Sequence, residues 1–123
     1  MTAELAGRRA LVTGAATGIG RAIAVAMAAA GAHVAVHARS AERAAGTIAA
    51  IESAGGRAIV AAADLMDGDA ASAMCADAVA ALGGMDIVVH NAGIAEKAPV
   101  LETAGQMWDR TMMVNVKVPY LVT

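Results

Sequence analysis

Residues 13–20 read TGAATGIG and follow directly on the apolar run at residues 10–12. Three glycines among eight residues are unfavourable inside a strand or a helix, because glycine loses more conformational freedom on folding than any other residue. They are favourable in a turn where the backbone must come close to another group. We therefore interpret this stretch as a tight turn between a strand and a helix, and we call residues 13–20 the glycine turn.

The rest of the chain alternates short apolar runs with longer, alanine-rich segments of helical period. Such alternation is typical of βαβ units, in which the strands form a parallel sheet with right-handed crossovers. We predict one α/β domain over residues 1–123, a doubly wound parallel sheet with the strand order 3-2-1-4. The fourth strand would then have one unpaired edge, through which we expect the chain to pair or to aggregate. The strands are predicted at residues 10–12, 33–37, 58–62 and 86–90.

Local signals set the helix limits. The stripe of Ile19, Ile23 and Met27 predicts the apolar face of a first helix, which should stop at Gly31. Ser40 and Asp67 are predicted N-caps of the next two helices. Glycine pairs at residues 55–56 and 83–84 should end those two helices. Met74, Ala78 and Leu82 should share the apolar face of the third.

The last quarter of the chain is predicted to be helical. Thr103 followed by Gln106 is a capping-box pattern that predicts the start of a further helix. A final helical stretch is predicted from Met113 to the end, bent if anywhere at Pro119.

Composition excludes several classes of function. A formal charge of −2 without a basic block argues against a nucleic-acid partner. No segment is long and apolar enough for a membrane span, and the N-terminus lacks the apolar stretch of a secretory signal, so we expect a soluble, cytoplasmic protein. Cys75 is the single cysteine and should be a buried helix residue. His33 and His37 alternate on one predicted strand without a third metal ligand, and we interpret them as strand-surface or strand-end residues; no metal is expected.

The glycine turn suits a phosphate. A helix N-terminus offers free backbone N–H groups and the positive end of the helix dipole. Gly14 would make the turn, Gly18 would let a phosphate approach, and Gly20 would let the helix pack on the sheet. A Walker loop is excluded because no lysine follows Gly20, and the spacing differs from G-x-G-x-x-G.

Four further motifs make the sequence recognisable. Asp64-Leu65 follows the third predicted strand, and Asn91-Ala92-Gly93, preceded by His90, follows the fourth. The segments WDR at 108–110 and VNV at 114–116 come next. In this order and spacing, the chain resembles the short-chain dehydrogenase/reductases of the classical type over essentially all 123 residues. The resemblance implies a Rossmann-type fold and an oxidoreductase that transfers a hydride between a nicotinamide cofactor and a ketone or alcohol.

The resemblance also implies roles for individual residues. Asp64 would accept a hydrogen bond from the adenine amino group, Asn91 and Gly93 would flank the nicotinamide ribose, and Asn115 would be catalytic by holding a water in a proton relay. The predicted cofactor-binding residues are Gly14, Thr17, Gly18, Ile19, Gly20, Arg39, Asp64, Leu65, Asn91, Ala92 and Gly93.

Cofactor preference depends on the end of the second strand. An NAD enzyme usually has an acidic residue there, whereas a 2′-phosphate requires an arginine. Ala38 occupies the acidic position and Arg39 follows it, so NADP is the expected cofactor, with NAD as the alternative.

The catalytic serine, tyrosine and lysine of the resemblance have no counterparts. Tyr120 is the single tyrosine, and it lies only five residues after Asn115 on the same predicted helix, so we interpret it as a packing residue. No serine follows Ser72. We therefore expect this chain to be the N-terminal, cofactor-binding half of a reductase similar to carbonyl or 3-oxoacyl reductases, inactive alone. A full-length form is expected to be a dimer or tetramer that acts on a small carbonyl or alcohol.

Other readings remain open. One is a short dinucleotide-binding module or truncated gene product without catalysis. A nucleotide-sugar epimerase or dehydratase would space its glycines as G-x-x-G-x-x-G, and a methyltransferase would have an acidic residue where Ala38 stands. Both of these fit the sequence less well.

Overall fold

A computed structural model describes residues 3–123 as alternating strands and helices. The four strands are β1 (Arg9–Val12), β2 (His33–Ala38), β3 (Arg57–Ala62) and β4 (Ile87–Val89). The helices are α1 (Gly18–Ala29), α2 (Ala41–Ser53), α3 (Gly68–Leu82), α4 (Gly105–Met112) and α5 (Val118–Val122). A 3₁₀ turn at Val100–Glu102 precedes α4, and a π-helical segment at Met113–Lys117 joins α4 to α5.

The four strands form one parallel sheet in the order β3-β2-β1-β4, which confirms the predicted fold class and strand order. β2 runs beside both β1 and β3, so that Leu11 lies beside Ala35 and Val36 beside Val60. β4 pairs with β1 along Ala10–Val12. Because all four strands are parallel, their carboxyl ends meet at one edge of the sheet, and this edge carries the loops that concern function.

Helices cover both faces of the sheet. Alternate strand residues point to opposite faces, so Val12, Val34 and Val36 pack with α1 and α2, whereas Leu11 and Ala35 pack with α3 and α5. A continuous strand interior of small and branched apolar residues is what a sheet buried on both faces requires.

Alanine supplies much of the core. Large side chains that are fully buried, such as Leu11 and Ile51, sit among buried alanines on both faces. In α1 the buried residues are Gly20, Ala24 and Ala28. Small residues on the inner face of a helix let its backbone lie close to the sheet. The helices and the sheet therefore pack at short distance, with little side-chain volume between them.

The face of α1 therefore differs from the prediction. Ile19 is 74% exposed. Ile23 and Met27 are half-buried at the margin of the core, while the alanines beside them face the sheet. The stripe of large residues was misleading because close packing selected the small ones.

Two of the three predicted caps are confirmed. The Ser40 hydroxyl accepts from the N–H of Arg43 at 3.3 Å, and Asp67 accepts from the N–H of Ala70 at 3.1 Å. The capping box at Thr103 was wrong. The Thr103 hydroxyl donates instead to the carbonyl of Pro99, and the helix begins at Gly105.

The π-helical segment disturbs the hydrogen bonding of the last helix. The N–H of Val118 donates five residues back, to Met113, whereas that of Thr123 donates four residues back, to Pro119. Between these two hydrogen bonds, only residues 119–122 can donate to the carbonyls of residues 114–118. Pro119 has no N–H, so three donors are available for five carbonyls. At least two of these carbonyls, in the turn that holds Asn115, therefore lack a donor within the helix.

Two residues of this region lie differently from the predictions. Tyr120 is 79% exposed and is not a packing residue. Cys75 is half-buried rather than buried; its thiol donates to the carbonyl of Val122 at 3.4 Å, and burial raises its pKa. Within residues 3–123, no helix has the length and apolarity needed to cross a membrane.

An ion pair joins the start of β1 to the start of β4. The guanidinium and the backbone N–H of Arg9 both donate to the Asp86 carboxylate, at 2.9 Å, and the guanidinium also donates to the carbonyl of Gly83. These hydrogen bonds lower the pKa of Asp86 from 3.8 to about 2. Strand β4 spans Ile87–Val89 and is one residue shorter at each end than the predicted 86–90.

We expect Asp86→Asn to lower the free energy of unfolding at pH 7. As the pH falls, the variant should lose less of this free energy than the wild-type protein does. Because the pKa of Asp86 is lower in the folded state, its stabilisation is complete above pH 3.8 and is lost as the pH falls to about 2. Urea unfolding between pH 2 and pH 7 measures this. The matched control is Asp77→Asn on the exposed side of α3; equal pH profiles for the two variants would contradict the assignment.

Candidate functional site

An open cleft of about 990 Å³ lies along the carboxyl ends of the strands. Its walls are the glycine turn, the segments that follow β2, β3 and β4, and the side of α4. In doubly wound sheets this is where ligands bind, because the loops after neighbouring strands diverge to opposite faces there.

The glycine turn has the shape expected from its sequence. Gly14 has φ +63° and Gly18 has φ +58°, which favour glycine because other residues rarely adopt positive φ. A Cβ at Gly18 would meet nothing within 4 Å, so this position faces open space in the cleft. A Cβ at Gly20 would collide with the carbonyl of Gly14 and the side-chain amide of Asn91. The three glycines thus make the turn, leave room and permit close packing.

Side chains from two directions satisfy the carbonyl groups of the turn. Asn91 donates through its amide to the carbonyls of Thr13 and Gly14, at 3.1 Å each. Thr47, fully buried on α2, donates to the carbonyl of Ala15 at 2.8 Å. The turn is held from β4 and from α2, and its shape does not depend on a ligand.

The N–H groups at the start of α1 remain free. Within residues 3–123, the N–H groups of Gly18, Ile19 and Gly20 donate to no protein acceptor. Thr17 and Ile19 are exposed beside them. With its acceptors occupied and its donors free, the turn offers an anion-binding surface to the cleft.

The opposite wall carries Asp64 and Leu65. Asp64 is exposed, and one carboxylate oxygen accepts from the N–H of Met66 at 2.9 Å. The other oxygen has no partner in the described part of the chain and can accept from a ligand. Leu65 is 6% exposed and packs in the core, so only its backbone can reach a ligand.

Two arginines stand at the end of the cleft next to β2. Arg39 follows the last residue of β2 and Arg43 lies in the first turn of α2; both are exposed and line the cleft. Ala38 ends β2 where an acidic residue would otherwise stand, so no carboxylate lies at this position. The site can therefore receive a phosphate here without charge repulsion.

Hydrogen bonds join the segment after β4 to the glycine turn. The Thr13 hydroxyl accepts from the N–H groups of Asn91 and Ala92, at 3.1 and 3.0 Å. The Asn91 amide is committed to the glycine turn, so it positions the turn and has no N–H left for a ligand. Gly93 follows at the exposed margin of the cleft.

Asn115 forms a paired contact with Ile94. Its Oδ1 accepts from the N–H of Ile94 at 2.9 Å, and its Nδ2 donates to the carbonyl of Ile94 at 2.8 Å. One helix turn earlier, Arg110 holds the Glu96 carboxylate at 2.8 Å, which lowers the pKa of that carboxyl through hydrogen bonding. Both contacts fix the segment after Gly93 against α4 and the π-helical segment.

His37 is a buried member of the site. The N–H of Gly14 donates to its Nδ1 at 2.9 Å, so Nδ1 must be unprotonated. Its Nε2 then carries the proton and donates to the carbonyl of Ala63 at 3.0 Å. Burial lowers the pKa of His37, which keeps the ring neutral at neutral pH. The predicted strand-end position of His37 is confirmed, since it is the penultimate residue of β2, but the strand-surface alternative was wrong because the ring is buried among the loops.

Comparisons with known proteins agree with this geometry. Residues 8–123 match the family model described as short chain dehydrogenase. The chain belongs to the short chain dehydrogenase family. This family consists of oxidoreductases, and the membership confirms the resemblance found in the sequence.

Individual members of the family show how much of the fold is present. The chain is 40% identical to a short chain dehydrogenase from Pseudocercospora fijiensis, covering 98% of this chain and 40% of that one. It superposes with a TM-score of 0.92 and 43% identity on a dehydrogenase/reductase from Sinorhizobium meliloti 1021, covering 98% of this chain and 48% of that structure. A short chain dehydrogenase from Burkholderia cenocepacia J2315 in complex with NADP superposes with a TM-score of 0.91 and 42% identity, covering 97% and 49%. The chain spans less than half the length of each.

In this short chain dehydrogenase, every predicted cofactor-binding residue except Gly20, which is buried, lines one cleft. Gly14 and Gly18 follow β1, Arg39 follows β2, Asp64 follows β3 and Asn91 follows β4. Asn115 contacts the segment that follows Gly93. His90 is exposed and its Nε2 lies 2.8 Å from the Thr123 hydroxyl. Among residues 3–123, no group of side chains could hold a metal ion.

Sequence reasoning missed four residues that build the cleft. Thr13 and Thr47 hold the turn through buried hydroxyls, Arg43 adds a second positive charge, and His37 joins two loops. Arg43 could have been found, since it lies one helical turn after Arg39. Thr47 could not, because a threonine inside a helix gives no sign of its distant partner.

We expect Gly20→Ala to destabilise the fold by about 1–3 kcal/mol, because the added methyl group overlaps a backbone carbonyl that the Asn91 contact holds in place. Gly46→Ala is the matched control. Gly46 lies inside α2, and its nearest neighbour would be a flexible arginine 3.6 Å away, so alanine should stabilise by up to about 1 kcal/mol. Chemical denaturation measures both; a Gly20→Ala protein as stable as Gly46→Ala would refute the close packing.

Proposed function

We propose that this chain forms the cofactor-binding part of an NADP(H)-dependent oxidoreductase that acts on a small ketone or alcohol. The observation that carries the proposal is that one cleft brings three features together. These are the free backbone N–H groups at the start of α1, a free carboxylate oxygen on Asp64 and the side chain of Arg39 after β2. In NADP(H) the pyrophosphate would match the N–H groups, the adenine would match Asp64 and the 2′-phosphate would match Arg39.

The pyrophosphate would lie at the start of α1. Gly18 leaves the space, and the N–H groups of residues 18–20 are unoccupied donors beside the positive end of the helix dipole. Thr17 and Ile19 are exposed on either side of this position and would contact the cofactor. The fit requires no rearrangement, since the carbonyls of the turn are already satisfied.

The adenosine end would lie between Asp64 and Arg39. The free Asp64 oxygen would accept from the adenine amino group, and the backbone of Leu65 would lie beside the ring. Arg39 would clamp a 2′-phosphate, with Arg43 adding positive charge. These two arginines, with no acid at Ala38, favour NADP over NAD. The Burkholderia relative with bound NADP supports the same choice.

The nicotinamide supplies the hydride chemistry when the cofactor is bound. Ala92 and Gly93 would border its ribose at the far end of the cleft, where Asn91 keeps the segment in place. The Asn115 side chain is occupied by Ile94, so the group with which Asn115 would hold a relay water is its backbone carbonyl. The π-helical segment supports this role, because carbonyls in that turn lack helical donors.

The whole protein would act as an oligomer. Trp108, Met112, Val116 and Tyr120 recur every four residues on the outer side of α4 and α5, between 37% and 79% exposed. Val114, Val118 and Val122 on the opposite side pack in the core. We propose that a second subunit covers the exposed stripe in a dimer or tetramer. We also propose that the protein is cytoplasmic.

The specific activity we propose is reduction of a carbonyl group, similar to that of carbonyl or 3-oxoacyl reductases. The test is turnover of NADPH by the full-length protein with a panel of small ketones and acyl thioesters. Binding of dinucleotide without turnover of any of them would favour the second candidate, a non-catalytic binding module. Absence of dinucleotide binding would refute both.

Arg39→Ala should weaken NADPH binding by about tenfold to a hundredfold, the size expected for charge-assisted hydrogen bonds, and should change NADH binding little. Titration calorimetry with both cofactors measures this. Arg57→Ala is the matched control, because Arg57 begins β3 at the opposite edge of the sheet from the cleft. Equal losses for NADPH and NADH would remove Arg39 from the 2′-phosphate site.

Asn115→Ala should lower kcat by about tenfold or more while the KM for NADPH changes little, because loss of both hydrogen bonds to Ile94 would displace the backbone carbonyl that would hold the relay water, away from the cofactor-binding contacts. Steady-state kinetics with a ketone that the panel identifies tests this. Gln106→Ala, which removes an exposed amide from α4, should leave both parameters unchanged. Normal turnover of Asn115→Ala would refute the proposal that the contact with Ile94 positions the relay carbonyl.

A further inference from the structure

His37 occupies the position where two parts of the cleft can be joined by one ring. β2 lies between β1 and β3 in the sheet, so its carboxyl end lies beside the glycine turn on one side and beside the segment after β3 on the other. The ring accepts from the N–H of Gly14 and donates to the carbonyl of Ala63. Gly14 begins the phosphate side of the cleft, and Ala63 directly precedes Asp64 on the adenine side.

We propose that His37 is a positioning residue for the dinucleotide: its neutral ring sets the distance between the glycine turn and the adenine wall, and protonation of the ring releases the turn. The proposal rests on the proposed function in that it assumes a dinucleotide in the cleft. His37 acts through Gly14 and Ala63, and its own nitrogens are both occupied by backbone groups.

The neutral ring is required by geometry. A backbone N–H can donate to Nδ1 only if that nitrogen has a free lone pair, and a carbonyl can accept only from a protonated Nε2. A protonated ring would have a proton on both nitrogens, which would oppose the Gly14 N–H directly. The contact with Ala63 would survive, so the two loops would separate on the side of the glycine turn.

The rest of the turn would not replace this contact. Its other supports act on carbonyl groups, from Asn91 and Thr47, or on the N–H of Ala15, which donates to the carbonyl of His37. Only the ring of His37 accepts from the N–H of Gly14 within residues 3–123. That N–H is half-buried, so its loss of a partner changes the turn at its first glycine.

Other charges surround the cleft and set the background for a pH effect. The glycine turn contributes no ionisable side chain. The charged groups that line the same cleft, from the connections after β2, β3 and β4 and from α2 and α4, are Arg39, Arg43, Asp64, Glu96 and Arg110. Burial of the ring lowers the pKa of His37, and the hydrogen bond to the carbonyl of Ala63 acts in the opposite direction.

Two substitutions separate positioning from general structure. His37→Asn keeps an acceptor, Oδ1, close to where Nδ1 lies, and it does not titrate. His37→Leu has similar volume and no acceptor. The probes are NADPH and NADH, because the 2′-phosphate of NADPH itself titrates near pH 6 whereas NADH has no group that does so.

The experiment measures the Kd of NADH and of NADPH at pH 8, pH 6.5 and pH 5 in the full-length protein and both variants. Because burial lowers the pKa of His37, we expect the wild-type protein to bind NADH equally at pH 8 and pH 6.5 and about twofold to fivefold more weakly at pH 5, up to the effect of one lost hydrogen bond, and His37→Asn to lose this dependence. At pH 8, His37→Asn should bind within about threefold of wild type and His37→Leu about tenfold more weakly. A pH effect of equal size in wild type and His37→Asn would overturn the proposal.

A second measurement does not need the cofactor. In the ligand-free protein, amide hydrogen exchange of Gly14 should be slow at pH 8 in wild type and in His37→Asn, and fast in His37→Leu after correction for intrinsic rates. Equal protection of Gly14 in all three would overturn the proposal even if His37→Leu binds weakly or folds poorly. A wild-type protein that binds neither cofactor at pH 8 refutes the proposed function, whereas normal binding by His37→Leu refutes only the role of His37.

Discussion

The contact between Thr13 and Asn91 joins the carboxyl ends of β1 and β4, and the remainder of the cleft depends on it. At these two strands the chain diverges: α1 returns over one face of the sheet, and the segment after β4 leads to helices on the other. Divergence opens a cleft but also leaves the backbone of both turns without strand partners. Thr13 accepts from the N–H groups after β4, and Asn91 donates to the carbonyls after β1. Each side chain therefore satisfies the other strand's backbone.

This arrangement separates acceptors from donors in the glycine turn. The carbonyls of Thr13, Gly14 and Ala15 are bound by protein side chains, so none of them points its negative end at the cleft without a partner. The N–H groups at the start of α1 remain for a ligand. A site prepared in this way gives an anion fixed donors and requires little reordering when it binds.

The sequence predicted the sheet, its order and most helix limits because these depend on local patterns. Short apolar runs, glycine pairs and the caps Ser40 and Asp67 each act within a few residues, and the structure confirms them. Thr103 misled because its hydroxyl donates to the carbonyl of Pro99 in the preceding turn and does not accept from an N–H at the start of α4. The contacts of His37 and Thr47 join segments 23 to 32 residues apart, and no local pattern predicts such partners. Tyr120 was misjudged because an apolar residue at helical spacing indicates an apolar helix face. The spacing does not tell whether that face packs against the core of the same chain.

The alanine-rich core makes the effect of mutation unequal in the two directions. Cores built from leucine and phenylalanine are usually damaged by truncation, which leaves cavities. Here Ala10, Ala24 and Ala35 are fully buried, and almost every amino-acid replacement that a single-base change of an alanine codon can produce enlarges the side chain or makes it polar. Such changes would push helices away from the sheet, and on the α1 side they would also shift the glycine turn. In genetic terms, harmful variants of this protein should concentrate at gains of volume, and substitution by glycine should be the mildest single-base change at those positions.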